Sequence, residues 1–185
     1  EIPALQSLVN LTELYLSGNE IEGKGLEPLA KLKSLETLGL SETRLTDESA
    51  KHLKPFTKLR ILLLRNTALT ADGLVSLSKL KKLERLWLSK VPVTDDGLVS
   101  LGKLKALRWL ELNDTQITDK GMGHFKEMTN LEDLNLRDND ITDKGLPKLK
   151  GLPHLSTLYL IGTNVTTEGV ARLQKSMQLC RIEYR

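Results

Sequence analysis

Large apolar residues return along this chain at fixed intervals. Leu11, Leu35, Leu59, Leu83, Leu107, Leu131, Leu155 and Leu179 are spaced by 24 residues, without an insertion. Six more apolar columns follow each of the first seven, after 3, 5, 10, 15, 18 and 21 residues, and only Ala50 and Ser176 fall short of a large apolar side chain. A constant period of this length is the mark of stacked supersecondary units, none of which can bury its own apolar face alone.

Each part of the unit has its own local period. Leu14-Tyr15-Leu16 and its copies alternate apolar with variable residues, which predicts a short strand with one face buried. Leu74, Leu77 and Leu80 are spaced by three, as on an α or 3-10 segment that lays one stripe on a core. The Thr-Asp pair before that stripe, as in Thr118-Asp119 and Thr142-Asp143, predicts a helix start with a side-chain cap. Gly73, Gly97, Gly121, Gly145 and Gly169 recur two residues after the Asp column, where close backbone approach is expected. Asn19, Thr43, Thr67, Thr115, Asn139 and Thr163 fall just after the strand, where a short polar side chain can satisfy the bend. Val91 breaks that column and precedes Pro92, so a locally altered fourth turn is expected.

The repeated Leu-x-x-Leu-x-Leu-x-x-(Asn/Thr) pattern resembles the leucine-rich repeat superfamily over essentially the whole chain. The resemblance implies an α/β solenoid: a curved horseshoe with a parallel β-sheet on its concave face and short α or 3-10 helices on its convex face. The Thr-Asp-x-Gly-Leu start is similar to that of long bacterial repeat arrays and of F-box substrate receptors. The chain departs from the F-box type, which often has cysteine where Thr or Asn stands here. It is expected to form one domain over 1–185. Residues 1–10 end a preceding repeat, because Ile2, Leu5 and Leu8 match Leu26, Leu29 and Leu32 one period earlier. Seven full repeats follow at 11–34, 35–58, 59–82, 83–106, 107–130, 131–154 and 155–178. Residues 179–185 supply a terminal strand, with Leu179, Ile182 and Tyr184 in its core columns. Ser176 and Tyr184 depart from their columns, so the reading is a natural C-terminus on a chain truncated at its N-terminus.

Composition narrows the chemistry. The chain has 185 residues, 27 Lys+Arg against 24 Asp+Glu, and a formal charge of +3. That excess gives no basis for a nucleic-acid or membrane partner. Lysines from Lys31 to Lys150 gather in the helical and return segments among Glu27, Glu84, Glu127 and Glu132, as on a solvated outer edge. The single cysteine, Cys180, excludes an internal disulfide and a cysteine-based metal site. His52, His124 and His154 form no set with a nucleophile, and neither a phosphate loop nor a metal motif occurs. Neither catalysis nor a cofactor is therefore expected.

Information remains in the outward strand positions, two, four and six residues after the first leucine. Both tryptophans and two of the three tyrosines of the chain stand there. Ile61, Leu63, Arg65, Arg85, Trp87 and Trp109 are expected to form one contiguous patch, flanked by the carboxylates Glu111, Asp114, Asp133 and Asp138, with Tyr159 further along. Aromatics and arginines dominate binding hot spots, so the expected role is a protein-interaction scaffold whose partner binds on the concave face. Self-association through the same patch is the competing use. The family resemblance adds two alternatives. One is the substrate-receptor part of a ubiquitin ligase; the other is a GTPase-activating protein, for which Arg44 and Asn66 are the local candidates. The compartment is left open.

Overall fold

The computed structural model describes residues 2–185, with the side chains of residues 2, 3 and 23 left aside. Eight three-residue strands form a single open parallel sheet in sequence order. They are β1 (Glu13–Tyr15), β2 (Thr37–Gly39), β3 (Ile61–Leu63), β4 (Arg85–Trp87), β5 (Trp109–Glu111), β6 (Asp133–Asn135), β7 (Thr157–Tyr159) and β8 (Arg181–Glu183). Every pairing keeps the sequence period: Leu14 lies beside Leu38, Leu62 beside Leu86, and Leu158 beside Ile182.

Helical segments return the chain across the far side of the core. Five are α-helical: α1 (Ile2–Leu5), α2 (Asp47–Ala50), α3 (Ala71–Leu77), α4 (Asp95–Leu101) and α5 (Thr167–Ser176). Gly23–Lys31, Lys51–Leu53, Gly121–Glu127 and Leu146–Leu149 are 3-10 turns instead. Between the layers runs one continuous core in which Leu38, Leu62, Leu86, Leu110, Leu134 and Leu158 are fully buried. None of the described helices is long and apolar enough to cross a membrane.

The turn after each strand is stereotyped. Gly18, Glu42, Asn66, Lys90, Asp114, Asp138 and Gly162, one per unit, all have positive φ between 51° and 76°. Next to them, the hydroxyls of Thr43, Thr67, Thr115 and Thr163 donate to the carbonyls of Leu40, Leu64, Leu112 and Leu160 at 2.7–2.9 Å. Asn139, 4% exposed, does more: Nδ2 donates to Leu112 O at 2.7 Å, and Oδ1 accepts from the Ile117 N–H at 3.2 Å. The altered fourth turn expected from Val91 is not found. Lys90 has a φ of 57° like its counterparts, and the Val91 N–H donates to Leu88 O at 3.1 Å. Backbone bonding alone holds the bend, and Val91 packs into the core, 1% exposed.

The Thr-Asp pair acts between units as well as within them. Thr70, Thr118, Thr142 and Thr166 accept backbone N–H bonds from their own helical starts. Their own N–H and hydroxyl groups donate to the preceding unit's Asp47, Asp95, Asp119 and Asp143 at 2.6–2.9 Å. The recurring glycine follows from this staple. A Cβ at Gly73, Gly121, Gly145 or Gly169 would run into the preceding aspartate. The series breaks once, at Ala71, and there Gly97 faces the flexible end of Leu74 instead.

At the C-terminal end the leucine column fails. Leu179, expected in the core, is 98% exposed, while Met177 and Cys180 are buried. The reason is helical pitch. At ten residues α5 is a full α-helix, so the next inward position after Leu173 is Met177 rather than Ser176. The inward stripe is thereby delayed by one residue, and the strand register is recovered at Arg181, opposite Thr157. At the other end Leu5 packs against the core and Leu8 is 48% exposed; Ile2, assigned to the same stripe, lies outside the described side chains.

Candidate functional site

The outward columns put their side chains on the sheet face opposite the leucines. In register, Ile61 lies beside Arg85, Arg85 beside Trp109, and Trp109 beside Asp133. One position further along the face, Leu63 lies beside Trp87 and Trp87 beside Glu111, with Tyr159 two strands beyond. Trp87 and Trp109 therefore meet diagonally, their rings stacked with centroids 6.4 Å apart and planes at 29°. Both are half-buried, as are Ile61 and Leu63, while Arg65 and Arg85 are exposed. Stacking hides part of each indole and leaves a cohesive apolar surface.

The acidic sector expected beside the patch needs correcting. Glu111 is only 8% exposed. Arg65 donates to its Oε2 at 2.8 Å, and the hydroxyl of Ser89 donates to its Oε1. On the way the Arg65 guanidinium passes over the Trp87 ring, 6.0 Å from the centroid. Glu111 thus holds Arg65 in place and offers no free carboxylate. Asp114 and Asp138 also leave the patch, because they occupy the left-handed turn positions beyond the strands. Asp133 is the carboxylate of that sector that lies on the strand face without an ion-pair partner among the described residues.

The same construction recurs three units later. Arg137 donates to Glu183 at 3.1 Å and lies over the Tyr159 ring, 4.6 Å from its centroid. In both copies an arginine at the sixth position crosses the aromatic of the next strand to a glutamate two strands away. Reading the sequence one column at a time hides this arrangement, because its members lie on a diagonal.

A charge ladder also runs along the column next to the first leucine, where no single sequence motif marks it. Glu36, Arg60, Glu84, Arg108 and Glu132 alternate in sign along one rim of the sheet. Arg60 bonds Glu84 through both carboxylate oxygens at 2.9 and 3.0 Å, and Arg108 bonds Glu132 at 2.6 Å. The Arg60 hydrogen bond keeps the Glu84 carboxyl below its ordinary value. Of the two GTPase-activating candidates, Arg44 is engaged with Glu20 at 2.7 Å, and Asn66 holds a left-handed turn position. Burial, with the charge of Asp133 added, pushes the Cys180 thiol up to about 11, so it stays protonated and a poor nucleophile near neutrality. Among the described residues no group of three or more His, Cys, Asp or Glu side chains is placed to hold a metal ion.

The chain is a leucine-rich repeat protein, with the open parallel sheet and short helical returns of that fold. Leucine-rich repeat family models match residues 105–165 and 7–30. Solved structures show the same architecture. An internalin of Listeria monocytogenes superposes with a TM-score of 0.82 at 24% identity, covering 99% of this chain and 50% of its own. A leucine-rich repeat protein of Leptospira interrogans gives a TM-score of 0.71 at 21% identity, covering 98% of this chain and 51% of its own. A plant peptide hormone receptor in complex with RGF2 gives 0.61 at 15% identity, over 98% of this chain and 33% of its own. This chain thus spans about half the length of the internalin that it matches. No curated protein sequence matches it. The leucine-rich repeat fold commonly mediates protein–protein interaction, and proteins of the family are generally non-enzymatic scaffolds.

Proposed function

We propose that this chain is a non-catalytic interaction scaffold that binds a protein partner on its strand face, around Trp87 and Trp109. The observation that carries the reading is the contiguity of Ile61, Leu63, Trp87 and Trp109 on neighbouring strands of one face. Scattered single apolar residues on a surface need no explanation, whereas a joined patch with stacked indoles is what interfaces are built from. Arg65, fixed over Trp87 by Glu111, adds a preorganised cationic edge that loses little entropy on binding. A receptor in complex with its ligand among the structural neighbours supports protein partners for this architecture.

Replacing both tryptophans by alanine tests the reading. The double variant should melt as one cooperative unit, yet lose about 2 kcal/mol or more of partner affinity for each hot spot removed. Parent, Trp87→Ala/Trp109→Ala and a helical-side control, Lys79→Ala/Lys82→Ala, are compared by affinity capture, followed by direct titration of any protein retained. Equal retention by parent and tryptophan variant would remove the site. A GTP hydrolysis assay with the same proteins decides the GTPase-activating alternative.

A further inference from the structure

A trench crosses the strands near their N-terminal ends. Its first part, about 400 Å³, is floored by Glu13, Thr37, Ile61 and Arg85. A smaller part of about 110 Å³ continues past Arg85, Trp109 and Asp133. The ladder from Glu36 to Glu132 walls both parts; the Arg60–Glu84 and Arg108–Glu132 pairs cancel within it, and Glu36 leaves it one net negative charge.

The floor is different. Arg85 and Asp133 flank Trp109 on the two neighbouring strands. Among the described residues neither has an ion-pair partner, whereas Arg65, Arg137 and Arg181 on the same face each have a glutamate. The Trp109 indole nitrogen is buried without an acceptor. A free cation, an apolar ring lacking an acceptor and a free anion thus lie in line across three strands.

We infer that this trench takes an extended peptide segment running across the strands, with an acidic side chain against Arg85 and a basic one against Asp133, three residues apart. The inference rests on the interaction role proposed above and specifies the ligand's charge pattern. Strands are about 4.8 Å apart, so Arg85 and Asp133 are separated by about 9.6 Å. Three residues of polyproline II chain advance about 9.3 Å and return the side chain to the same side. The two residues between cross the exposed part of the Trp109 ring. The wall carries one net negative charge and Glu13 adds another on the floor of the first part, so the charge register is read from the change that Arg85 and Asp133 variants make in the order of preference.

The test uses synthetic fluorescent peptides with Glu-Pro-Leu-Lys, Lys-Pro-Leu-Glu, Glu-Pro-Leu-Glu or Lys-Pro-Leu-Lys centred in one proline-flanked frame. The parent should bind one of the mixed-charge peptides on the order of tenfold more tightly than either like-charged one. Arg85→Glu should switch the preference to Lys-Pro-Leu-Lys, and Asp133→Lys to Glu-Pro-Leu-Glu. These signs hold whichever way the peptide runs. Absence of peptide binding, or an order of preference unchanged in both charge variants, overturns the inference. If Trp109→Ala abolishes binding while the charge variants leave that order intact, the interaction face stands and only the charge register fails. Failure of the scaffold reading shows separately, as partner capture indifferent to Trp87 and Trp109.

Discussion

Arg65 donates to Glu111 at 2.8 Å across 46 residues of sequence, and Arg137 repeats the reach to Glu183, also across 46 residues. Each pair ties a strand to the second strand beyond it and clamps the aromatic of the strand between. Neighbouring strands are already joined by backbone hydrogen bonds, so these side chains add the next-nearest coupling that a linear array otherwise lacks. They also keep a large aromatic from rotating freely on an open sheet.

Removing one partner of the first pair has an asymmetric expected outcome. Arg65→Met leaves the nearly buried Glu111 with only Ser89, and should destabilise the protein by about 1–2 kcal/mol, since the half-exposed guanidinium limits the penalty. Glu111→Gln, which keeps one acceptor oxygen for Arg65 while the Ser89 hydroxyl accepts from the amide and donates to Asn113, should cost less. Urea titration of both variants and of the double variant gives the coupling directly; additivity would show that the pair is not energetically linked.

The aspartate staple predicts a ranking among glycines that local helix propensity cannot give. Gly121→Ala forces a methyl into Asp95 and should cost about 1–3 kcal/mol. Gly97→Ala meets only the movable end of Leu74 and the Val93 side chain, so its cost should be smaller. Conversely, Ala71→Asp restores the missing staple to Thr94, and a gain of about 0.5–1.5 kcal/mol is expected. Thermal melts of the three variants decide the order.

The left-handed turn residue predicts a stabilising substitution. Glu42 has a φ of 57°, a conformation costing a side-chain-bearing residue roughly 1–2 kcal/mol, part of which glycine returns as backbone entropy. Glu42→Gly should therefore raise stability by about 0.5–1 kcal/mol, read as a shift of the urea midpoint at constant slope. A loss of stability would mean that the Glu42 side chain contributes more than its backbone strain costs.

Acid should loosen the staples. Bonds from the Thr166 N–H and hydroxyl, then the charge of Arg172, hold the Asp143 carboxyl below its ordinary value of 3.8. A depressed folded-state value makes the contribution fully present above the unfolded value, and it is lost as pH falls below that toward the folded one. The parent should lose Tm more steeply below about pH 4 than Asp143→Asn, which has no carboxyl to protonate there. Parallel Tm profiles of the two proteins through that range would exclude the staple as a source of acid sensitivity.

Most of the architecture was legible because the two periods in the unit answer to independent physical demands. Alternation around Leu14 and its copies can only be a half-buried strand, and threefold spacing at Leu74, Leu77 and Leu80 can only be a helical return. The Thr hydroxyl bonds to the strand carbonyls were equally readable, since donor and acceptor are three residues apart. Column reading also brought Trp87 and Trp109 into one patch.

What escaped the sequence involves partners one or two units away, or a local change of pitch. The staple from Asp95 to Thr118 explains Gly121, but the two ends lie in different units and neither pattern names the other. Leu179 keeps its place in the sequence period and still leaves the core, because the longer α5 turns the inward stripe from Ser176 to Met177. Glu111 reads as a free carboxylate in a strand and becomes an internal anchor once Arg65 folds across Trp87. Sequence alone determined the repeat, the strand face and the aromatic patch, because burial of periodic leucines leaves the chain one way to stack. Only the tertiary structure decided which charges on that face neutralise one another and which remain free, because side-chain reach across strands depends on diagonals that no linear period records.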